Sequence, residues 1–329
     1  MEPGLTDRIF GINDEKTFRA AAMEVFRFQA ASVPVYREYL AARDVDPGTV
    51  KELEEIPFLP VGFFKTHRVL AEDREAEVVF ESSGTVGTEP SRHHVADASV
   101  YRESFLRCFY SAYGSPEELC ILALLPSYLD RSGSSLVYMM DHLIRWSKHP
   151  DSGFYLDNLD ALASILEKRG YDGHPTLLLG VSFALLDLAD KHPVDLCNNI
   201  TVLETGGMKG RRKELVRVEL HGILKEAFGL ETIHSEYGMT ELLSQAYSRG
   251  EGVFISPPWM EVLARDPNDP LSLLGAGQTG GLNIIDLANM YSCSFIATGD
   301  LGKRYEDRTF EVLGRFDDAE IRGCNLLVF

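Results

Sequence analysis

The sequence predicts an α/β fold: βαβ layers with mixed and parallel sheets, and a smaller, mostly antiparallel β subdomain toward the end. Three observations predict it. Apolar runs of strand length alternate with helix-period segments from Asp97 to His234. Beyond residue 250 the helical period disappears and short strands separated by turn residues take over. Ahead of both, Phe18, Ala21, Ala22, Val25 and Phe26 are spaced to form one apolar helix face.

The elements follow in order. Residues 15–32 form the first helix. A second begins after Pro34, through Tyr36, Tyr39 and Leu40, and ends before the breaker Asp46-Pro47-Gly48. Residues 57–64 read as an apolar loop, followed by Lys65. Residues 77–81 and 92–95 flank a Ser/Gly/Thr loop as a hairpin, and a helix runs over 97–113. Then come a buried strand at 120–125, helices at 134–147 and 158–169, a strand at 176–179 and a helix at 182–190. A strand at 200–203, a helix at 211–228 and a strand at 232–234 complete the alternation, which argues for parallel βαβ units. The later strands fall at 252–255, 260–264, 281–287, 293–297 and 309–313. The organisation is one core: an N-terminal helical segment (1–65), the α/β sheets (66–250), then the smaller β subdomain and tail (251–329).

With 329 residues, 45% of them apolar and 25% charged, the chain has the composition of a soluble globular protein with a sizeable core. A net charge of −18 argues against nucleic-acid backbones and anionic membranes as partners. The five cysteines show no CxxC spacing, and the start Met1-Glu2-Pro3-Gly4 has no signal-peptide character, so a reducing cytoplasm fits. The apolar stretch Ile121–Leu125 is too short to span a bilayer.

The hexamer Ser82-Ser83-Gly84-Thr85-Val86-Gly87 has the make-up of a phosphate cradle. Glycine lets backbone N–H groups approach an anion, and hydroxyls add donors without bulk. No Gly-Lys-Ser/Thr closes it, so it is not a Walker A loop. The same residues are also ordinary turn formers. Three later segments decide between these readings: Tyr237-Gly238-Met239-Thr240-Glu241, Thr298-Gly299-Asp300, and Gly314-Arg315-Phe316-Asp317-Asp318 followed by Ile321-Arg322-Gly323.

In this order the four motifs resemble those of the adenylate-forming superfamily, which includes acyl-CoA synthetases, luciferase and peptide-synthetase adenylation domains. Within it the chain is most similar to the LuxE-like acyl-protein synthetases. Ser91-Arg92-His93 stands where most members have Pro-Lys-Gly, Leu125-Pro126-Ser127-Tyr128-Leu129 precedes a Ser-rich turn, and the chain ends soon after Arg322-Gly323-Cys324. The likeness spans about residues 55–329. It implies that the superfamily's mobile C-terminal domain is absent.

The resemblance implies attack of a carboxylate, fatty or another small acid, on the α-phosphate of ATP, with Mg²⁺. Ser82, Ser83, Gly84, Thr85 and Gly87 would hold the β- and γ-phosphates, with Lys65 and His93 as weaker candidates; Arg92 is the nearest cation, either standing in for the missing lysine or serving as a solvated surface arginine. Tyr237 and Gly238 would lie at the adenine, Thr240 would donate to the α-phosphate, and Glu241 would hold Mg²⁺. The backbone at Thr205-Gly206-Gly207 would back the adenine ring. Asp300 would accept from the ribose hydroxyls with Arg315 beside it. Thr before Glu is also a common helix cap. Walls near Tyr128, Ser134, Val137 and Ser182 would shape the acyl site; His234 either lines that site or caps a strand, the cap being the preferred reading.

Cys324 lies in a polar tail, where Arg322 would favour its thiolate. By the resemblance it would take the acyl group as a thioester and pass it to a partner such as an acyl reductase; the alternative is a tail residue that closes the fold. Two rivals remain: a CoA ligase with an external or no C-terminal domain, and a non-catalytic nucleotide-binding scaffold.

Overall fold

The computed structural model describes residues 4–82, 89–126, 133–156, 158–206 and 215–316. They divide into two compact units. One takes in the beginning of the chain to Phe63, Val69–Asp73 and the chain from Pro258 onward; the other takes in Phe64–Arg68 and Arg74–Pro257.

The first unit opens with α1 (Leu5–Phe10), α2 (Glu15–Ser32) and α3 (Pro34–Ala42). Asp14 caps α2 by accepting the Thr17 N–H at 2.8 Å. Pro34 opens α3, where its missing N–H costs nothing. The expected apolar face of α2 is buried from Phe18 to Phe26. Residues 57–64 are more ordered than the apolar loop expected: β1 (Leu59–Pro60) pairs with a later strand, and α4 (Phe63–Thr66), which belongs to the second unit from Phe64 on, follows.

In the second unit, β2 (Val78–Glu81) and β3 (Arg92–Val95) form the expected hairpin, with Glu81 opposite Arg92. After it come α5 (Ala98–Tyr113), β4 (Cys120–Leu124), α6 (Ser135–Ser147), β5 (Gly153–Phe154), α7 (Leu159–Asp172), β6 (Thr176–Val181), α8 (Ser182–Lys191) and β7 (Ile200–Thr205). The unit continues with α9 (Arg217–Phe228), β8 (His234–Tyr237), β9 (Ala246–Ser248) and β10 (Val253–Phe254). Asp97, Ser134 and Asn158 cap the helices that follow them. The sheet order is β5-β4-β6-β7-β8-β9, parallel from β5 to β8 with β9 antiparallel at the edge. Both β4 and β6 are apolar and fully buried, as strands covered on two faces must be. The chain steps from β4 to β5 on one side and back across to β6 on the other. The order therefore reverses between β4 and β6, which is where open parallel sheets form ligand crevices at their carboxyl ends.

Among the boundaries that differ from the sequence expectation, two bear on the site. The strand expected at 232–234 begins at His234 and runs through Tyr237, because pairing with β7 and β9 carries the polar Ser235 and Glu236 into the sheet. The helix expected from Arg211 begins at Arg217; residues 211–214 lie outside the described part.

From Pro258 the chain returns to the first unit as β11 (Met260–Arg265), β12 (Thr279–Asp286), β13 (Phe295–Arg304) and β14 (Phe310–Arg315), an antiparallel series with β1 parallel on β13. Strand β13 runs well past the apolar stretch that announces it, because β12 and β14 pair with its polar half. Gln29, buried on α2, ties this sheet to the N-terminal helices. Its amide donates to the Asn289 carbonyl (2.9 Å) and its oxygen accepts the Ser294 N–H (3.0 Å). Nearby, Tyr36 stacks on Phe295 at 6.3 Å and 14°.

Candidate active site

In the second unit, motif residues gather where β7 and β8 end. Gly206 follows β7 in a left-handed conformation (φ 70°) that glycine adopts without strain. Its carbonyl accepts from the Ser182 hydroxyl at the start of α8, and the same hydroxyl lies 3.2 Å from Glu204. Tyr237 ends the neighbouring strand β8, is 9% exposed, and meets Phe254 edge-on at 5.9 Å. Glu241 is buried and Thr240 half-buried; both stand in a turn, not at a helix start, so the capping alternative for this pair falls away. Gly238 leaves room for Glu236, whose Oε1 would lie 2.4 Å from a Cβ at that position.

The β2–β3 hairpin meets this turn. His93 Nδ1 lies 2.8 Å from the Thr240 carbonyl. Ser82 closes the neck of the loop: its N–H donates to the Ser91 carbonyl (3.0 Å), and its hydroxyl accepts the Ser91 N–H (2.8 Å). Arg92 is exposed and pairs with Glu81 across the hairpin at 3.2 Å. Ser83, Gly84, Thr85, Gly87, Gly207, Tyr128 and Cys324 lie outside the described residues.

In the first unit, Asp300 lies inside β13 and not in a turn after it. The Thr298 hydroxyl donates to the Leu282 carbonyl (2.9 Å) and accepts the Asp300 N–H (3.1 Å). Arg315 faces Asp300 from β14.

Comparison with known proteins places this architecture. No family profile matches the sequence and no curated protein matches it. Solved structures do. ATP-bound MatB from Rhodopseudomonas palustris superposes with a TM-score of 0.55 at 16% identity, over 74% of this chain and 50% of that one. An open conformation of 2-hydroxyisobutyryl-CoA ligase, in complex with 2-HIB-AMP and CoA, superposes with a TM-score of 0.67 at 15% identity, over 92% of this chain and 70% of that one. The chain has the fold of these ligases. It spans half the length of the MatB structure.

Sequence reasoning missed a buried polar network beneath Gly206. Glu204 is ringed by Ser182, Arg217 Nε (3.5 Å) and His221 Nε2 (3.6 Å), with Ser235 hydrogen-bonded to His221. Burial pushes the Glu204 carboxyl up, but hydrogen bonds from His221 and Ser235 and the Arg217 charge outweigh it and hold it below its ordinary value. On the adjacent strand, Glu236 accepts from the Thr205 hydroxyl, and burial pushes its carboxyl up to about 7. The available signal was a carboxylate inside each of two strands, Glu204 before Thr205-Gly206 and Glu236 before Tyr237. His234 opens β8 with Nδ1 3.3 Å from the Tyr113 hydroxyl, and burial holds its ring down at about 4.

No helix among the described residues is long and apolar enough to cross a membrane.

Proposed function

We propose that this chain activates a carboxylic acid as acyl-AMP at the expense of ATP, and passes the acyl group to a thiol. One observation carries the reading. The Tyr237-to-Glu241 turn sits at the carboxyl end of the parallel sheet, beside the Gly206 turn, and is tied to the β2–β3 hairpin, on a fold shared with ligases that bind ATP or an acyl-adenylate.

Each part has a task under this reading. Tyr237 and Gly206 flank the adenine, Thr240 donates to the α-phosphate, and Asp300 and Arg315 take the ribose. Such chemistry asks the protein for position and charge neutralisation more than for covalent help. Glu241 suits Mg²⁺, which needs one or two protein carboxylates when phosphates and water complete its shell.

The proposed acceptor is Cys324, with an acyl-accepting protein downstream. A second reading, with CoA as acceptor, is favoured by the CoA bound in the 2-hydroxyisobutyryl-CoA ligase complex. The test is ATP–pyrophosphate exchange with Mg²⁺ across a panel of fatty, aromatic, hydroxy and amino acids, with and without CoA. Carboxylate-dependent exchange is expected. Silence across the whole panel refutes an activating enzyme and favours a nucleotide-binding scaffold.

A further inference from the structure

We infer that His93 is a positioning residue for the reaction proposed above, setting Thr240 relative to the β2–β3 hairpin by donating its Nδ1 hydrogen to the Thr240 carbonyl. The inference rests on that reading and adds a residue to it.

His93 is the second residue of β3 and its side chain is fully buried. The carbonyl it meets at 2.8 Å lies 147 residues away in the sequence. A carbonyl oxygen only accepts, so Nδ1 carries the hydrogen and Nε2 the lone pair. Nε2 is buried and has no hydrogen-bond partner among the described residues. The Phe64 ring stands edge-on at 5.6 Å and 90°. Adding a proton would bring a second N–H into these apolar surroundings, and burial pushes the ring's pKa down to about 4. The ring therefore stays neutral, with one tautomer, across the physiological range.

A core histidine kept only for its bulk would be better replaced by leucine, which leaves no polar atom unsatisfied. What the imidazole adds is the bond to Thr240. That bond goes to a turn outside the strands of the sheet. Because the peptide is planar, fixing the Thr240 carbonyl also fixes the Glu241 N–H, and with it the origin of both motif side chains. Strand β3 belongs to the hairpin that carries Ser82, so this hydrogen bond ties that hairpin to the Thr240 turn.

The test compares His93→Leu and His93→Asn in the intact chain by ATP–pyrophosphate exchange, using an acid that supports exchange in the wild type. The Asn amide reaches about as far as Nδ1 and restores a donor. We expect His93→Leu to lower kcat about tenfold to a hundredfold, to move KM for ATP less than about threefold, and His93→Asn to recover most of the loss. Wild-type kcat in His93→Leu overturns the role. So does a His93→Asn variant as impaired as His93→Leu, since mere packing would favour the leucine. If His93→Leu does not fold, ring ¹⁵N NMR of the wild type decides: the Nδ1–H tautomer is expected, and the Nε2–H tautomer overturns the bond. A wild type without exchange on any acid overturns the adenylation reading and the role together. Exchange in the wild type with no effect at His93 overturns the role alone.

Discussion

Asp300 and Arg315 stand directly opposite each other in β13 and β14, with Arg315 Nε 3.5 Å from Asp300 Oδ1. The pair is lopsided: the Asp300 side chain is 13% exposed and that of Arg315 75%. An arginine so exposed contributes about 0–1 kcal/mol through such a contact, so the pair does little for the fold. Asp300 is held from the backbone instead, through the Thr298 hydroxyl. Under the proposed function, Asp300→Ala lowers exchange about tenfold to a hundredfold, the loss of a charge-assisted contact to the ribose. Arg315→Ala falls less, because water already competes for its guanidinium. Glu241→Ala loses exchange through its metal. Each is checked by exchange rates on variants that keep a cooperative unfolding transition; undiminished rates in Asp300→Ala and Glu241→Ala break the assignment.

Arg265 holds the strand that carries Asp300. Its guanidinium donates to the Leu282 carbonyl (2.6 Å), to Asn283 Oδ1 (2.8 Å) and to the Thr298 carbonyl, and it lies over the Phe316 ring at 5.7 Å. Burial pulls its pKa below the ordinary arginine value. Arg265→Met keeps the stem and removes every donor. We expect a loss of roughly 2–4 kcal/mol in urea unfolding, since bonds from a charged donor contribute about 1.5–3 kcal/mol each and an apolar replacement offsets part of that. Unchanged stability would show that the three acceptors find other partners.

Glu236 gives a pH signature. Its folded pKa, about 7, lies above the ordinary value of 4.5, with burial as the main cause. The folded state therefore favours the protonated acid. Its contribution to stability is full below about pH 4.5 and is lost as pH rises through about 7. The shift corresponds to roughly 3 kcal/mol at one pKa unit per 1.36 kcal/mol. Glu236→Gln keeps an oxygen for the Thr205 hydroxyl and cannot ionise. Denaturant unfolding between pH 5 and 8 should show the wild type losing stability relative to this variant. Parallel profiles would mean that Glu236 ionises normally.

These residues mark how far the sequence was legible. The alternating apolar runs at Cys120, Thr176 and Ile200 gave the parallel sheet, because burial on both faces leaves a continuous apolar signature. Capping residues Asp97, Ser134 and Asn158 fixed three helix starts. The length of β13 was hidden, since Thr298 to Arg304 are extended by their pairing and not by their own composition. The partners of Glu204, Glu236, His93 and Arg265 were hidden in another way. Each of these residues is a polar side chain whose bonding partner lies distant in sequence, and no local pattern records such a partner.

The thiol acceptor divides the proposed reaction into two separable halves. Adenylation needs the nucleotide motifs alone, whereas acyl transfer needs a thiolate within reach of the acyl-AMP carbonyl. Among the described cysteines, Cys108, Cys120 and Cys293 are buried. Burial pushes the Cys120 thiol up to about 11 and the Cys293 thiol to about 12, so both stay protonated near neutrality. Cys197 is exposed and is the natural competitor to Cys324. Enzyme incubated with Mg-ATP and its acid should carry a hydroxylamine-labile acyl adduct on the C-terminal peptide by mass spectrometry. Cys324→Ser should keep pyrophosphate exchange and lose the adduct, while Cys197→Ser should keep both. An adduct on Cys197, or one undiminished in Cys324→Ser, sinks the Cys324 thioester. Acyl-CoA formed rapidly with no protein adduct moves the acceptor from the chain's own thiol to CoA.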